Sequence, residues 1–393
     1  MSAEDVVIVS AKRTPIGAFQ GVLSPLTAPQ LGAAAAKAAI EAAGIRSSDI
    51  QEVIMGCVLS AGLGQAPARQ AALGAGMPLG TPSTTLNKMC GSGMKAVMMA
   101  ADQIRAGSAD IILAGGMESM TNAPYLLPKA RGGYRMGHGE ILDHMFYDGL
   151  QSPFDGKLMG CFADSTAARY EFTRSAQDAF AAESVRRATQ ALQSHDFDAE
   201  ITPITVKSRK GESVVSRDET PGTCDIDKIP ALKPAFGKEG TVTAASSSSI
   251  ADGAAALVLM RASSARQLGV KPLARILAYS SHAHEPEWFT TAPVGAMRKT
   301  LNQLGWQPDD VELYEINEAF AAVTMAAMKD LALDHARVNV SGGACALGHP
   351  IGATGARILT TLIHALRRKG LKRGIASLCI GGGEAVATAV EIV

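Results

Sequence analysis

One pattern occurs twice in this sequence, and it limits the folds open to the chain more than any other feature. Gly44-Ile45 is followed by Asp49-Ile50 and an apolar run; Gly305-Trp306 is followed by Asp310-Val311 and an apolar run. The displacement that carries Gly44 to Gly305 also carries Cys90 to Ile351, beside the Gly-rich turn Gly348-His349-Pro350. Each of those two turns leads into a helical pattern, Met94–Ala106 in one and Gly355–Arg368 in the other. A unit that recurs with its turns and apolar runs in the same order implies a duplicated structural module.

Apolar runs of strand length alternate with helical stretches in both copies, which predicts an α/β architecture. Val6–Val9, Val53–Met55 and Ile111–Ala114 read as buried strands, with Ala274–Ala278 as the partner of Val6–Val9 in the second copy. Leu31–Ala43 reads as a helix ended by Gly44, and Gly93–Ala106 as a helix ended by Gly107, glycine being the common residue just past a helix. The stretch from Thr121 to Ala245 fits neither copy. It is rich in Gly, Pro, Met and charge, and it contains one clear helix, Ala176–Gln193, with Ser175 and Asp178 in a capping-box pattern. It reads as an insertion folded over the first copy, and insertions of this length often cover active sites. The expected boundaries are residues 1–120 with 246–272 for the first half, 121–245 for the insertion and 273–393 for the second half.

The bulk composition excludes several functions. Basic and acidic residues balance to a net charge of +0, without a long Lys/Arg run, so binding of nucleic acid through a basic surface is not expected. No apolar run approaches the ~18–20 residues that span a bilayer. The acidic start, Met1 to Asp5, lacks the basic region and longer apolar stretch of a signal peptide. A soluble cytoplasmic protein is expected. The charged fraction of 19% and 40 glycines suggest tight packing and a subunit interface. Six cysteines without a CxxC pair argue against structural zinc, and reduced thiols are the expectation in the cytoplasm.

Cys90, in Asn87-Lys88-Met89-Cys90-Gly91-Ser92-Gly93, stands where a helix begins. The positive end of a helix dipole lowers a thiol pKa, and the adjoining backbone N–H groups could hold an oxyanion. A buried cysteine in a tight turn is the alternative. The same segment matches a relaxed dinucleotide motif, Gly91-Ser92-Gly93-Met94-Lys95-Ala96. That motif needs a strand just before it and an acid ending the next strand. Thr85–Lys88 reads as a poor strand, and Asp110 precedes the next strand, so the nicotinamide reading is rejected. His349 lies on a Gly-rich loop at the repeat-equivalent of Cys90. Cys379 ends an apolar run and precedes Gly381-Gly382-Gly383. Asn317 ends another; its amide could polarise a carbonyl or position a water, or cap a helix.

Taken together these segments resemble the thiolase family, in particular its acetyl-CoA acetyltransferases. The family patterns NKxCGSGxKA, NEAFA, GGAxxxGHPIGxxGARI and CxGGG occur in order around Cys90, Asn317, His349 and Cys379, and Asp110–Met120 also matches. The resemblance runs from Arg13 to the C-terminus. It implies duplicated α/β halves with mixed five-stranded sheets covered by helices, an inserted loop domain, and a homo-oligomer, either a dimer or a tetramer. It also implies an acyltransferase that joins two acetyl-CoA into acetoacetyl-CoA and CoA, reversibly, with coenzyme A thioesters as substrates and no metal or prosthetic group.

The resemblance implies these roles. Cys90 carries the acyl group, His349 takes its proton, and Cys379 is the general acid/base. One oxyanion is held by His349 and a water on Asn317, the other by the N–H groups of Cys90 and Gly381. Leu150, Met159, Phe236, Ala244, Ser248, Phe289, Ala319 and Phe320 match substrate-binding positions. The chain departs from the family at Ser246, Ser249 and Ala251, at Leu158 where many members have His, at Pro221 where some have Arg, and at Glu384, where many have a small or apolar residue. A degradative 3-ketoacyl-CoA thiolase of broader chain length and a non-catalytic lipid carrier are the other readings. A ketosynthase is disfavoured because that relative lacks a cysteine at the place of Cys379.

Overall fold

Two strand sets of matching order face each other across the Val6–Arg13 and Ala274–Ala283 strands. In the first half the neighbours run Ser83–Leu86, Glu52–Gly56, Ile111–Ser119, Ala251–Arg261 and Val6–Arg13. In the second they run Ala274–Ala283, Glu384–Ile392, Arg373–Ile380 and Leu313–Ile316, and Tyr314 bridges Val338 where a fifth strand would lie. Parallel and antiparallel pairings recur at the same places in each half. Antiparallel pairing of Val7 with Arg275 and of Ile8 with Ala274 joins the mixed sheets of the two halves edge to edge. The computed structural model describes Ser2, Glu4–Ser208 and Gly211–Val393. Met1 and Ala3 of the N-terminal stretch, and Arg209 and Lys210 of the insertion, lie outside the described residues.

The strands are apolar on both faces because both faces are covered. In the first strand Val6 and Ile8 point to the central cluster, while Val7 and Val9 point to the outer one, the period of two that a strand imposes. The outer layer of the first half is the Ala28–Ala43 and Pro67–Gly74 helices. That of the second half is Ala292–Leu304 and Ala321–Leu331. The central layer pairs the Ser92–Ala106 helix with the Thr354–Lys369 helix, whose Ile358, Leu359, Leu362, Ile363 and Leu366 are buried. Burial of each such side chain contributes about 1.5–3 kcal/mol.

These two helices cross at their first turns through a pair of glycines. A Cβ on Gly93 would lie 2.8 Å from the Ala356 nitrogen, and one on Gly355 would lie 2.5 Å from the Met94 nitrogen. Backbone therefore meets backbone, and the two loops that enter these helices, one carrying Cys90 and the other His349, are brought side by side.

Between Thr121 and Ala245 the described residues add no strand to the main sheet, only a parallel bridge from Ile201 to Arg13, and two small two-stranded sheets form. The helix expected at Ala176–Gln193 begins earlier, at Arg174, and its cap is Thr173, whose side chain accepts the Ala176 N–H. Ser175 lies inside the first turn, and Asp178 pairs with Arg174. A second helix, Met159–Arg169, escaped the sequence reading because its apolar periodicity is weak. Ser83–Leu86 is a strand after all, paired in parallel with Glu52–Gly56. Its Ser and Thr residues gave little local signal, and the neighbouring strand imposes the extended form.

Candidate active site

The Cys90 loop leaves the Ser83–Leu86 strand and turns sharply at Met89, whose φ is 47°. A non-glycine residue in the left-handed region is uncommon and carries strain that its surroundings must hold. Ser92 holds it: its hydroxyl accepts the Lys88 N–H at 2.8 Å and donates to the Met89 carbonyl at 2.7 Å. Gly91 is the helix cap, and the Ile380 side chain packs where a Cβ would stand. The turn leaves Cys90 half-buried, its sulfur facing its own N–H and that of Gly381.

The expected lowering of the Cys90 pKa is not found. Burial pushes it up to about 11, against the pull of the Gly381 and Cys90 N–H groups, with the Glu118 charge adding to the rise. Desolvation of a thiolate outweighs the helix dipole, whose effect is modest and falls off within a turn. The resting group is a thiol, and it needs a base.

His349 is buried, and its backbone N–H is held by the Ser249 carbonyl at 2.9 Å. Its Nδ1 lies 2.6 Å from Thr354 Oγ1. That hydroxyl donates to the Pro350 carbonyl at 2.9 Å, so it accepts from the imidazole. The proton is thereby on Nδ1, and Nε2 is a free lone pair, buried without a hydrogen-bond partner in the protein. Burial, with the Arg357 charge, lowers the His349 pKa to about 3. The ring is neutral at physiological pH.

Asn317 follows the Leu313–Ile316 strand and is fully buried, yet neither its Oδ1 nor its Nδ2 has a protein partner. It does not cap a helix; the cap position of the next helix is Phe320. Buried amides are normally satisfied, so an unpaired one is poised for something outside the protein.

Cys379 stands one residue before the end of the Arg373–Ile380 strand, buried against Phe162, Phe289, Ala319 and Phe320. Burial raises its pKa well above the ordinary value, and the neighbouring Cys90 adds to the rise. Gly381 follows in the turn, with Gly382 and Gly383 at φ of 96° and 89°, where other residues are strained.

A cavity of about 260 Å³ opens beside these groups, walled by His349, Leu150, Leu158, Met159, Phe236, Ser248 and Phe320, with Phe146, Ile250 and Ile351 among the rest. Cys90 packs against the buried cluster that contains Met120 and Ile351 of this same wall. Of the sequence-derived substrate positions, Leu150, Met159, Phe236, Ser248 and Phe320 line the cavity. Phe289 and Ala319 sit behind it: Phe289 meets Phe162 and Phe320 edge-on, and the Ala319 carbonyl accepts the Ser248 N–H. Ala244 is exposed and lies off the cavity wall.

Among the departures from the family pattern, Leu158 and Ser249 are on the wall. Ser246 is buried in a turn, accepting the Thr243 N–H. Ala251 packs against Gly348, where a Cβ would come within 2.7 Å. Glu384 forms an ion pair with Lys88 and so links the Cys379 and Cys90 loops. Pro221 is buried away from the cavity, its carbonyl accepting the Thr189 hydroxyl. Sequence reasoning missed Thr354 as the partner of His349. It lies within the quoted motif, but only side-chain geometry shows whom it bonds.

Residues 6–263 match the thiolase N-terminal domain, and residues 270–392 match the thiolase C-terminal domain. An acetyl-CoA acetyltransferase from Cupriavidus necator is 49% identical over 98% of this chain and 99% of its own length. One from Escherichia coli is 50% identical over 99% of both chains. Among solved structures, the Bacillus anthracis acetyl-CoA acetyltransferase aligns with a TM-score of 0.97 and 43% identity over 99% of both chains. A thiolase from Ascaris suum in complex with coenzyme A aligns with a TM-score of 0.94 and 43% identity, over 99% of this chain and 100% of its own. With the family's two domains covering nearly the whole chain and close relatives matching end to end, the chain belongs to the thiolase family and is an acyltransferase.

Proposed function

We propose that this thiolase is an acetyl-CoA C-acetyltransferase that condenses two acetyl-CoA to acetoacetyl-CoA and CoA, and runs the reverse thiolysis, through an acyl-Cys90 intermediate. The observation that carries the reading is the buried Nε2 of His349, a lone pair left free beside an apolar cavity. Support from relatives is the shared name of the Cupriavidus and Escherichia proteins and the coenzyme A bound by the Ascaris thiolase.

In the forward direction the Cys90 thiol gives its proton to His349 Nε2 as the sulfur attacks the thioester carbonyl of acetyl-CoA. The oxyanion meets the backbone N–H groups of Cys90 and Gly381. It collapses to acyl-Cys90 and expels CoA, which takes a proton from the Cys379 thiol, so that Cys379 is left a thiolate and His349 keeps the Cys90 proton on Nε2. A second acetyl-CoA then enters. Cys379, as thiolate, removes its α-proton, while His349 and a water held by Asn317 stabilise the enolate oxygen. The carbanion attacks acyl-Cys90, and the Cys90 thiolate leaves and takes its proton back from His349 Nε2 as acetoacetyl-CoA is released, with Cys379 again a thiol. A base near carbon acidity of this order needs a high pKa, and burial gives Cys379 one.

The reading includes the three-part chain division given above, Leu150, Met159, Phe236, Ser248 and Phe320 as the coenzyme A tunnel, a cytoplasmic setting with its free cysteines reduced, and a homo-oligomer. No helix among the described residues is long and apolar enough to cross a membrane. Phe289, packed behind Cys379, supports a short acyl group.

Thiolysis measured on acetoacetyl-CoA, 2-methylacetoacetyl-CoA and a C8 3-ketoacyl-CoA tests the reading. Acetoacetyl-CoA is expected to react fastest. A faster C8 substrate would assign the chain to the degradative thiolases, and no thiolysis at all would leave a carrier.

A further inference from the structure

The repeat that aligns Gly44 with Gly305 brings the end of the Ile111–Ser119 strand onto the end of Arg373–Ile380, and Glu118 onto Cys379. In the second half this position holds the buried thiol of Cys379, a neighbour of Cys90. In the first half it holds a carboxylate with 0% exposure.

That carboxylate is enclosed by donors alone. Oε2 accepts the Val58 N–H at 3.0 Å and the Gly352 N–H at 2.9 Å. Oε1 accepts the Leu59 N–H at 3.1 Å and lies 3.7 Å from the Cys57 sulfur. No cationic side chain pairs with it among the described residues. Val58 and Leu59 follow the Glu52–Gly56 strand of the first half, whereas Gly352 belongs to the His349-Pro350-Ile351-Gly352 turn of the second. The approach is so close that a Cβ on Gly352 would lie 2.6 Å from Glu118 Oε2 and 2.9 Å from the Met117 carbonyl.

We propose that Glu118 is a positioning residue for the thiolase reaction: its ionised carboxylate clamps the His349 turn onto the first half of the fold and thereby holds the imidazole at the Cys90 thiol. The proposal rests on the roles given above to Cys90 and His349. Its physical basis is the acceptor-only character of a carboxylate. Both oxygens are already engaged by N–H groups, so neither can carry a proton or an amide NH2 without setting donor against donor. Burial nevertheless raises the Glu118 pKa to about 7, opposed by the three N–H bonds and the Cys57 thiol. The charge that forms the clamp is therefore one that mild acid removes, and the turn that carries His349 loosens with it. The titratable groups facing Glu118 are the Cys57 and Cys90 thiols, both raised by burial and protonated in this range. His349, on the clamped turn itself, stays neutral down to about 3.

Two measurements on the full-length protein test this. The first is the single-turnover acylation of Cys90 by acetyl-CoA in Glu118→Gln, with folding checked by circular dichroism. The rate is expected to fall at least ~10-fold, while the acetyl-CoA concentration giving half the maximal rate shifts less than ~10-fold, because Leu150, Met159, Phe236, Ser248 and Phe320 of the wall lie off the clamped turn. The second needs no variant. Hydrogen exchange of the wild type over residues 348–353, corrected for the intrinsic rate, is expected to quicken between pH 8 and pH 5.5, while the Ser92–Ala106 helix is unchanged. A folded Glu118→Gln protein that acylates at the wild-type rate overturns the proposal. So does exchange over 348–353 that is the same at both pH values, which decides the matter alone should the variant fail to fold. Absence of an acetyl group on Cys90 in the wild type would instead strike at the proposed function, and the exchange comparison would still report on the clamp.

Discussion

His349 Nδ1 donates to Thr354 Oγ1 across 2.6 Å, and the threonine spends its own proton on the Pro350 carbonyl. The relationship fixes one tautomer. It leaves Nε2 as the only ring nitrogen able to take a proton from Cys90. Thr354→Val keeps the shape and removes the acceptor, which leaves the buried Nδ1–H unpaired or moves the proton to Nε2. Thiolysis kcat is expected to fall by at least ~10²-fold, the lower end of what general-base help is worth. Thr354→Ser is expected to restore most of it. Steady-state kinetics on acetoacetyl-CoA reads both, and equal activity in the valine variant would mean the tautomer is set elsewhere.

The two cysteines should separate by trapping. Cys90→Ala is expected to abolish both the radiolabelling by acetyl-CoA and the turnover. Cys379→Ala is expected to accept the label on Cys90 yet lose carbon–carbon bond formation by ~10²–10⁴-fold, the usual worth of acid–base help. Peptide mass spectrometry locates the acetyl group; finding it on Cys379 in the wild type would reverse the assignment.

Free enzyme holds Cys90 as a thiol, with its pKa up at about 11. Alkylation by iodoacetamide should accordingly climb through neutral pH and inflect near 11. A plateau starting below pH 8 would reveal a thiolate–imidazolium pair, which the His349 pKa of about 3 argues against. The same burial bears on stability. The unfolded histidine takes up a proton below its ordinary value of 6.5, and the folded one does so only near 3. This residue therefore lowers stability progressively as the pH falls from about 6.5 towards 3, and His349→Asn should flatten that part of the pH dependence of the urea midpoint.

Asn317 has no hydrogen bond in the protein to lose from its side chain. Asn317→Ala should leave the urea midpoint unchanged or raise it, since an unsatisfied buried amide carries a penalty of about 1–3 kcal/mol that offsets the lost packing. Activity should fall about 10²–10³-fold, the scale of losing one group that stabilises an oxyanion. A variant that is strongly destabilised and still fully active would refute the assignment.

Gly355 meets Met94 where the central helices cross. Gly355→Ala would press a methyl group onto backbone, an overpacking that typically costs about 1–3 kcal/mol. The expected result is a lower thermal midpoint together with slower acylation, because the same crossing sets the Cys90 and His349 loops against one another. A midpoint at or above that of the wild type would show that the helices can part without loss.

Much of this was written in the order of the residues. The duplication was legible because Gly44 and Gly305, each past the end of a helix, and Asp49 and Asp310 after them, mark the same local turns, and turn chemistry is local. The strands at Val6 and Ile111 were legible because burial on both faces demands unbroken apolar runs. The candidate residues Cys90, Asn317, His349 and Cys379 could be found because each lies at the end of an element inside a recognisable motif. Three matters depended on contacts between residues far apart in the chain. Ser83–Leu86 is extended because a neighbouring strand pairs with it, not because its own residues ask for it. The Cys90 pKa rises because desolvation is decided by what packs around the sulfur, which no helix-end rule reports. Gly352 meets Glu118 across 234 positions, and a hydrogen bond spanning that distance exists only once both halves have folded against each other.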